Sequence, residues 1–423
     1  MPSQLIIFED KTVENFNPLT HIRPVYFLRP GIKFLYEKIA DCFSDHNPSL
    51  HCRPELREVA SELSDLPVNN YDIGEGPETV FVNGRVIDPW TILEILDDHE
   101  GSVCLRSGED IAALRISGDI PEQDLNLIRN VGTGEFIRQI AKNYENIDGD
   151  FKLYTYLWDL VNDIGRSIRN DIDYMKNNKE GIFRQAKRAE VFENRYPGAH
   201  FIGYDDIYLS NDVRIAPTAV LDASHGPIYI DERVEIQPHT YLIGPAYIGR
   251  ETLLVGGKID GCSIGPVCRA GGEVEETIIQ GYTNKYHAGF LGHAYVGEWV
   301  NLGAMTTNSD LKNDYSTIKV SLNGRNIDTG SIKVGSFIGD FTKTAIGTLL
   351  NTGINIGINC NLVGKGIITD KEISNFTWIL GENKHPYKLG KAMEVIARSM
   401  ERRKMVLTEP LKQLLTELHS RRS

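Results

Sequence analysis

Cysteine is sparse in this chain of 423 residues, and its spacing excludes two common classes of site. The six cysteines include no C-x-x-C pair and stand at Cys42, Cys52, Cys104, Cys262, Cys268 and Cys360. A disulfide scaffold carries far more cysteine per residue, and a structural zinc site needs closely spaced pairs of ligands. The sequence therefore predicts free thiols, a reducing cytoplasm and no structural metal.

Long apolar runs and an excess of positive charge are lacking as well. The longest runs, such as Leu5–Phe8, fall far short of the roughly 20 residues that span a membrane, and no secretory leader is evident. Lysine and arginine number 45 against 58 acidic residues, a net charge of −13. Nucleic acid and membranes are therefore not expected partners. Apolar residues still make up 41% of the chain, enough for roughly two or three folded domains.

The chain changes character near residue 205. Before this point short apolar runs alternate with helix-like segments, which predicts an α/β layered domain. Strands are expected at 5–8, 79–82 and 103–105, and helices at 31–40, 90–96, 122–144 and 157–176. A basic connector follows at 183–188. The predicted first domain, with its helical connector, spans residues 1–205.

After residue 205 an apolar residue returns at every sixth position. The longest run is Ile230, Ile236, Leu242, Ile248 and Leu254, and shorter runs begin at Ile215, Phe290, Ile332 and Ile356. Glycine often follows the apolar residue, as at 249, 265, 297, 303, 339 and 357. This pattern predicts a parallel β-helix of hexapeptide repeats over 206–380. Each hexad forms one side of a three-sided coil, with the aliphatic side chain inside and a small residue at the corner.

Two segments depart from the repeat. A polar stretch between about 306 and 331 predicts a projecting functional loop, or else an insertion that packs on a neighbouring subunit. The tail at 381–423 predicts helix from Lys388, a break near Pro410 and a second apolar face beyond it. We expect this helical tail to cap the end of the β-helix, with partner binding as the alternative.

The combination of an α/β domain, a hexapeptide β-helix and the N-terminal segment 15–25, NFNPLTHIRPV, resembles the GlmU-like sugar nucleotidyltransferases. GlmU proteins join an N-acetylglucosamine-1-phosphate uridylyltransferase to a glucosamine-1-phosphate N-acetyltransferase. The resemblance implies a Rossmann-like nucleotidyltransferase domain, a left-handed β-helix and a homotrimer. It further implies a transferase that uses a sugar phosphate, a nucleoside triphosphate, acetyl-CoA or another acyl-CoA, and Mg²⁺.

The nucleotidyltransferase motif is incomplete in the first domain. The first strand runs into Glu9-Asp10-Lys11, without the glycines that let backbone N–H groups approach a triphosphate. Arg23 and Arg29 remain as candidates for neutralising a phosphate. An arginine stands where the resemblance implies a magnesium-binding aspartate, in Asn83-Gly84-Arg85. Asn83 and Arg85 are therefore candidate substrate contacts.

Asp88, Asp159 and Asp163 are the nearest carboxylates that could replace the missing metal ligand, and of these we expect Asp159 to contact a metal or the sugar. The ordinary alternative is that Asp159 caps a helix, just as Arg23 and Arg29 have the alternative of salt-bridged structural residues. These alternatives remain open at the level of sequence.

The segment 284–297 resembles the acetyltransferase site of GlmU. Its spacing assigns His287 to the catalytic base, which would take a proton from the acceptor amine as it attacks the thioester. Histidine suits this task because it titrates near neutral pH. Phe290 stands in the place of the family's tyrosine. The alternative for His287 is a structural role, in which its side chain only hydrogen-bonds a neighbouring residue.

Further candidates in the β-helix follow from the same resemblance or from proximity. Substrate contacts are assigned to Arg269, Lys285 and Phe290, and contacts to the acyl donor to Asn301, Ala304 and Asn308. Two functions thus compete for the whole chain. One is a GlmU-like transferase, and the other is a non-catalytic trimeric scaffold whose first domain binds a sugar nucleotide. The missing glycines and Arg85 favour the second function for the first domain, whereas His287 favours catalysis in the β-helix.

Overall fold

Short buried strands form a mixed sheet at the centre of the first domain. The computed structural model of the protein describes residues 3–70, 77–130, 134–184, 195–364 and 366–422. The strands of this sheet are β1 (Gln4–Phe8), β2 (Asn47–His51), β3 (Glu78–Asn83), β4 (Val103–Ser107), β5 (Asp110–Ser117) and β6 (Glu145–Asp148). Their order is β2-β1-β3-β5-β4-β6, with β1 parallel to both neighbours and β5 antiparallel to β3 and β4. The three predicted strands are present.

Helices cover the faces of this sheet. They are α1 (Leu35–Cys42), α2 (Arg57–Leu63), α3 (Pro89–Asp98), α4 (Glu122–Asn130), α5 (Glu135–Ile140), α6 (Leu157–Asn162) and α7 (Ile164–Asn177). The helix predicted at 157–176 is divided at Asp163, and the one predicted at 122–144 ends as α5 and a short 3-10 turn. Part of that segment, 131–133, and most of the basic connector at 183–188 lie outside the described residues.

The second half of the chain winds into a parallel β-helix with three rows of stacked strands. The first row holds β8 (Ile207–Leu209), β11 (Ile228–Ile230), β14 (Ala246–Ile248), β16 (Ser263–Ile264), β18 (Ile278–Gly281), β21 (Tyr295–Glu298), β25 (Phe337–Ile338), β28 (Asn355–Ile356) and β31 (Glu372–Ile373). The second row holds β9 (Arg214–Ile215), β12 (Glu235–Ile236), β19 (Asn284–Lys285), β26 (Lys343–Thr344), β29 (Asn361–Gly364), β32 (Thr377–Gly381) and the antiparallel β33 (Asn383–Pro386). The third row holds β7 (His200–Ile202), β10 (Val220–Asp222), β13 (Thr240–Ile243), β20 (Phe290–Gly292), β22 (Thr307–Asn308), β27 (Leu349–Leu350) and β30 (Ile367–Ile368). Two longer strands, β15 (Leu253–Asp260) and β17 (Arg269–Glu275), turn the corner from the second row into the third.

The six-residue period marks the inside of this β-helix, as predicted. The residues of its longest run, from Ile230 to Leu254, are each at most 1% exposed and lie in one apolar cluster. The following glycines serve a different purpose from the predicted one of turning a corner. A Cβ on Gly265 would lie 2.1 Å from the carbonyl oxygen of Gln280 in the next coil. These positions therefore exclude side chains because successive coils approach so closely.

Two residues assigned to the repeat lie outside the core. Ile332 is 48% exposed, because it follows the polar excursion, whereas Ile338 is fully buried. Phe290 is only half-buried, and Leu291 takes the inward position beside Val274. The prediction of inward side chains was wrong at these two places, where the spacing is interrupted by a loop or a longer corner.

The polar stretch at 306–331 folds back instead of projecting. Its centre is an antiparallel hairpin of β23 (Lys319–Leu322) and β24 (Arg325–Asp328), with the apolar side chains of Ile318 and Val320 buried. Asn323 at its tip donates to the carbonyl oxygen of Glu14, and Glu372 accepts from the backbone of Asn323. The excursion therefore packs between the first row of the β-helix and the first domain of the same chain.

The C-terminal tail forms α8 (Leu389–Glu401) and α9 (Glu409–Ser420). Pro410 lies in the first turn of α9, where a missing N–H costs nothing, so it begins the second helix. Thr408 donates to Glu62 of α2 at 2.7 Å, and Arg422 donates to the carbonyl oxygen of Phe376 at 3.3 Å. The tail thus joins the last coil to the first domain, in addition to covering apolar surface.

The first domain docks on the first row of the β-helix through buried polar contacts. Arg23 donates to both carboxylate oxygens of Asp340, at 2.7 and 3.1 Å, and to Glu298 at 3.2 Å. The Tyr295 hydroxyl accepts from the backbone N–H of Arg29 at 2.9 Å. Because Asp340 is fully buried, its charge depends on Arg23 for compensation.

The six cysteines are free and buried, as their spacing predicted. Among the residues that the structure describes, no helix combines the length and the apolar character needed to cross a membrane.

Removing the Arg23 guanidinium is expected to destabilise the protein strongly. Arg23→Met leaves the buried carboxylate of Asp340 without its cation, a change that typically costs about 3–5 kcal/mol. Chemical denaturation measures this loss. The matched control is Arg214→Met, which breaks the exposed pair with Glu235 and should cost less than about 1 kcal/mol. Equal losses of unfolding free energy in the two variants would contradict a stabilising role of the buried ion pair between Arg23 and Asp340.

Candidate functional site

His287 lies at the corner between the second and third rows of the β-helix. It is exposed, together with Tyr286 and Ala288, and its ring meets the Tyr286 ring edge-on at 5.1 Å between centroids. Within the described part of the chain, the imidazole has no hydrogen-bond partner. Both ring nitrogens are therefore open to a substrate. This differs from the alternative in which the histidine only hydrogen-bonds a neighbouring residue.

Close packing of the backbone fixes this corner. Gly272 has φ +74°, and a Cβ there would lie 3.0 Å from the carbonyl oxygen of His287. Gly289 has φ +127°, and a Cβ there would lie 2.2 Å from the carbonyl oxygen of Thr306. Only glycine combines these dihedral angles with the absence of a side chain. The coils on both sides thus hold the peptide that carries the imidazole.

Lys285 supports the corner from inside the coil. It occupies an inward position in register with Ala270 and is 1% exposed. Its amine donates to the carbonyl oxygens of Gly271 and His287, each at 2.8 Å. Burial lowers the pKa of the Lys285 amine to about 8. Lys285 is thus placed beneath the site and not on its surface, so the geometry gives it a positioning role in place of the predicted substrate contact.

Polar side chains line the second row beside this corner. Asn284 pairs with Asn301 of the next coil, and its amide donates to the Asn301 side-chain oxygen at 2.7 Å. Arg269 lies one coil before Asn284, and Lys343 one coil after Asn301. Arg269 donates to the carbonyl oxygens of Glu251 and Cys268. Lys343 was missed because the excursion at 306–331 interrupts the period that would have placed it.

Two of the predicted acyl-donor residues differ in their surroundings. Ala304 lies at the same corner one coil further on, since the N–H of Met305 donates to the carbonyl oxygen of Ala288. Asn308 is 2% exposed, and its amide accepts from and donates to the backbone of Gly292. Asn308 therefore holds two coils together, and the structure brings only Ala304 and Asn301 close to the exposed histidine.

A second histidine in the segment has a different character. His293 lies 2.8 Å from Asp310 and 3.3 Å from Glu276. Although burial opposes the charge, these carboxylates raise the pKa of His293 to about 9. A histidine that stays protonated at neutral pH is an ion-pair partner and not a base, so His287 remains the candidate in this segment.

In the first domain, the ends of the central strands carry paired charges. Arg85 follows β3 and lies 2.8 Å from Asp10 and 3.2 Å from Asp110. The Asn83 amide donates to Asp10, and Arg53 lies 2.8 Å from Glu9. Burial raises the pKa of Asp10, but the Arg85 guanidinium outweighs it and holds that pKa below its usual value. Asn83 and Arg85 are fully buried, so they do not face an open cleft.

The other predicted residues of this domain have structural contacts. Arg23 forms the ion pair with Asp340 of the β-helix. The Arg29 guanidinium lies 4.1 Å from the centroid of the Phe34 ring. Asp159 accepts from the backbone N–H groups of Thr155 and Tyr156, each at 2.9 Å, and so caps α6. For Arg23 and Asp159 the geometry matches the ordinary alternatives, whereas Arg29 is buried and contacts an aromatic ring without an ion pair among the described residues. Their roles with substrate or metal stay predictions.

The expected Mg²⁺ does not fit the described residues. They contain no group of three or more histidines, cysteines or carboxylates able to hold a metal ion. Asp10 and Asp110, the carboxylates at the strand ends, converge on the positive charge of Arg85. A divalent cation would be repelled there. No chemistry is therefore derived through this metal.

The buried amine of Lys285 should make stability depend on pH in the alkaline range. Its pKa is about 8 in the folded protein against 10.5 ordinarily, so only the unfolded chain holds the proton between these values. Stability then rises with pH in this window by up to about 1.4 kcal/mol per pH unit. Lys285→Met should lose that part of the rise in urea denaturation. Lys258→Met, which removes an amine paired with Glu275 and Asp260, should keep it. If the unfolding free energy rose equally with pH in all three proteins, the lowered pKa of the buried Lys285 amine would be contradicted.

Comparisons with known proteins give a family match for the first domain and partial matches to two relatives. Residues 5–180 match the model of a sugar nucleotidyl transferase family. A bifunctional sugar-1-phosphate nucleotidylyltransferase/acetyltransferase of Sulfurisphaera tokodaii is 31% identical over 133 residues, which cover 29% of this chain and 31% of that protein. The bifunctional protein GlmU of Syntrophomonas wolfei is 28% identical over 165 residues, covering 33% of this chain and 36% of that protein.

The matches span about a third of the length of these curated relatives. Among solved structures, an Arabidopsis UDP-N-acetylglucosamine acyltransferase aligns with 53% of this chain and 87% of its own, at 10% identity and a TM-score of 0.19. That alignment is too distant to inform on the present chain. The family match of residues 5–180 includes the motif at 15–25. Residues 5–180 are therefore similar to the sugar nucleotidyl transferases, and part of the chain is similar to bifunctional proteins of the GlmU type.

Proposed function

We propose that this protein is a transferase that moves an acyl group from acyl-CoA to a sugar 1-phosphate or sugar nucleotide at the His287 corner. The observation that carries the proposal is the exposed imidazole of His287, which has no hydrogen-bond partner among the described residues and is held on a fixed backbone corner beside the amides of Asn284 and Asn301. The names of both relatives describe bifunctional proteins, one of them explicitly an acetyltransferase, which supports the same reaction here.

The chemistry assigned to the corner is general base catalysis. His287 accepts a proton from the acceptor amine as its nitrogen attacks the thioester carbonyl. The carbon–sulfur bond then breaks, the acyl group stays on the nitrogen, and the coenzyme A thiolate takes up a proton. Ala304 and Asn301, which lie beside the corner, are the proposed contacts of the acyl donor.

A homotrimer is part of the proposal. Apolar side chains remain exposed along the same corner and the third row beside it, namely Met305, Ile346, Leu349 and Ile367, at 55%, 80%, 41% and 51%. A contiguous apolar strip of this kind is typical of a protein interface. Neighbouring copies packed on it would enclose His287 and supply the orienting group that the imidazole lacks within the described residues. We place this trimer in the cytoplasm, as the free thiols suggested.

A second activity, nucleotidyl transfer, is proposed for the first domain because residues 5–180 match a sugar nucleotidyl transferase family. Substrates would approach the strand ends that carry Glu9, Asp10 and Arg85. Because these side chains are buried and paired, substrate binding there would require the neighbouring loops to open. The competing idea of a non-catalytic scaffold is favoured by neither relative's name.

His287→Ala should abolish acyl transfer. Wild-type protein given acetyl-CoA and glucosamine 1-phosphate is expected to release free coenzyme A, detected with a thiol reagent. Loss of the base should lower kcat/KM by at least about 100-fold. His225→Ala, which removes another exposed histidine of the β-helix, should leave the rate unchanged. Absence of coenzyme A release with every amino and hydroxyl sugar phosphate would refute acyl transfer.

Nucleotidyl transfer should be independent of the histidine corner. Wild-type protein and His287→Ala are each incubated with a nucleoside triphosphate, a sugar 1-phosphate and Mg²⁺, and released pyrophosphate is measured. Equal rates in the two proteins are expected, because the strand ends and the corner belong to different domains. If nucleotide binds but pyrophosphate never appears, the first domain is a binding module and this second activity is wrong.

A further inference from the structure

We propose that Lys343 binds a phosphoryl group of the substrate at the His287 corner. The inference rests on the proposed acyl transfer and names a residue to which neither the motifs nor the relatives point.

The register places Lys343 on the same surface as the candidate site. Lys343 pairs with Asn301, and Asn301 pairs with Asn284, so the three lie on successive coils of the second row. Neighbouring parallel strands are about 4.8 Å apart, which puts Lys343 roughly 10 Å from Asn284 along the axis. His287 follows Asn284 by three residues on the same coil. A single phosphorylated ligand can therefore lie along the row and reach the corner.

Lys343 has no counter-charge among the described residues. Its amine makes one long contact, 3.4 Å, to the carbonyl oxygen of Phe341. Lys258, also on the outside of the β-helix, instead lies 2.5 Å from Glu275 and 3.1 Å from Asp260. The side chain of Lys343 is partly buried, and burial lowers its pKa to about 8. A buried ammonium without a carboxylate is costly, and a bound anion would relieve that cost.

The groups around Lys343 are donors. Within the row, Arg269, Asn284, Asn301 and Lys343 follow one another without a carboxylate between them. The Asn301 side chain is exposed, and its oxygen is already occupied by Asn284, which leaves its amide hydrogens toward solvent. A phosphoryl group needs hydrogen-bond donors together with positive charge. The row therefore suits the phosphate of a sugar phosphate or one of the phosphates of coenzyme A.

Calorimetric titration distinguishes these two sources without requiring turnover. Glucosamine 1-phosphate and coenzyme A are each titrated into wild type, Lys343→Met, Lys343→Arg and the matched control Lys258→Met. We expect Lys343→Met to weaken binding of one of the two probes by at least about tenfold, the equivalent of about 1.4 kcal/mol. Lys343→Arg should restore most of the affinity, and Lys258→Met should bind like wild type. The probe that is affected identifies the source of the phosphoryl group.

Kinetics separate this role from that of the base. Lys343→Met is expected to raise KM for the affected substrate with little change in kcat, whereas loss of His287 lowers kcat. If acyl transfer fails but Lys343 still governs binding, the phosphate site stands and the proposed reaction falls. Equal affinities of wild type and Lys343→Met for both probes, or no binding to wild type at millimolar concentration, would overturn the site. Lys343→Gln replaces the methionine variant if that protein does not fold.

Discussion

The close stacking of coils in the β-helix is the constraint on which the other features depend. Backbone hydrogen bonds join each coil to the next, with N–H donors on both coils, and the inward aliphatic residues fill the space between the rows. Glycines such as Gly265 occur where a side chain would strike the neighbouring coil. A polar residue can enter this interior only if its donors find acceptors, and Lys285 does so by reaching two backbone carbonyls. The same contact fixes the peptide of His287, so the position of the candidate base depends on the packing inside the β-helix.

Positive charges in the first domain that the sequence assigned to phosphate or substrate are bound by carboxylates of the same chain. Arg23, which by its motif should neutralise phosphate, is bound to Asp340 of the β-helix. At the strand ends, Arg85 takes a place where a metal was expected and is held by two carboxylates. Positive charge is thus retained in the domain but is satisfied internally. A sheet that elsewhere presents an open edge to ligands is here joined to a second domain over a buried polar surface.

The sequence predicted the architecture better than the site. Periodic patterns specify which side of a strand or helix is buried, so the hexads and the C-terminal helices were identified. The predicted inward orientation was wrong for Ile332 and Phe290 because a loop or a long corner precedes each of them. Such an insertion shifts the repeat along the sequence, and a fixed six-residue period does not account for it. Lys343 lies 42 positions after its partner Asn301 and becomes a neighbour only after the hairpin folds back. The contacts of the arginines could not be predicted from the sequence, because residue type indicates charge, whereas the partner that meets this charge is set by tertiary contacts.

The clamp between Arg23 and Asp340 joins residues 317 positions apart. During synthesis on the ribosome, the α/β domain emerges first, and its docking surface must wait until nearly the whole solenoid has been translated. Arg23 therefore spends that interval without the carboxylate that will neutralise it. The contact of Thr408 with α2 forms later still, once α9 has left the exit tunnel. The α/β domain is thus translated before the segments that complete its docking surface.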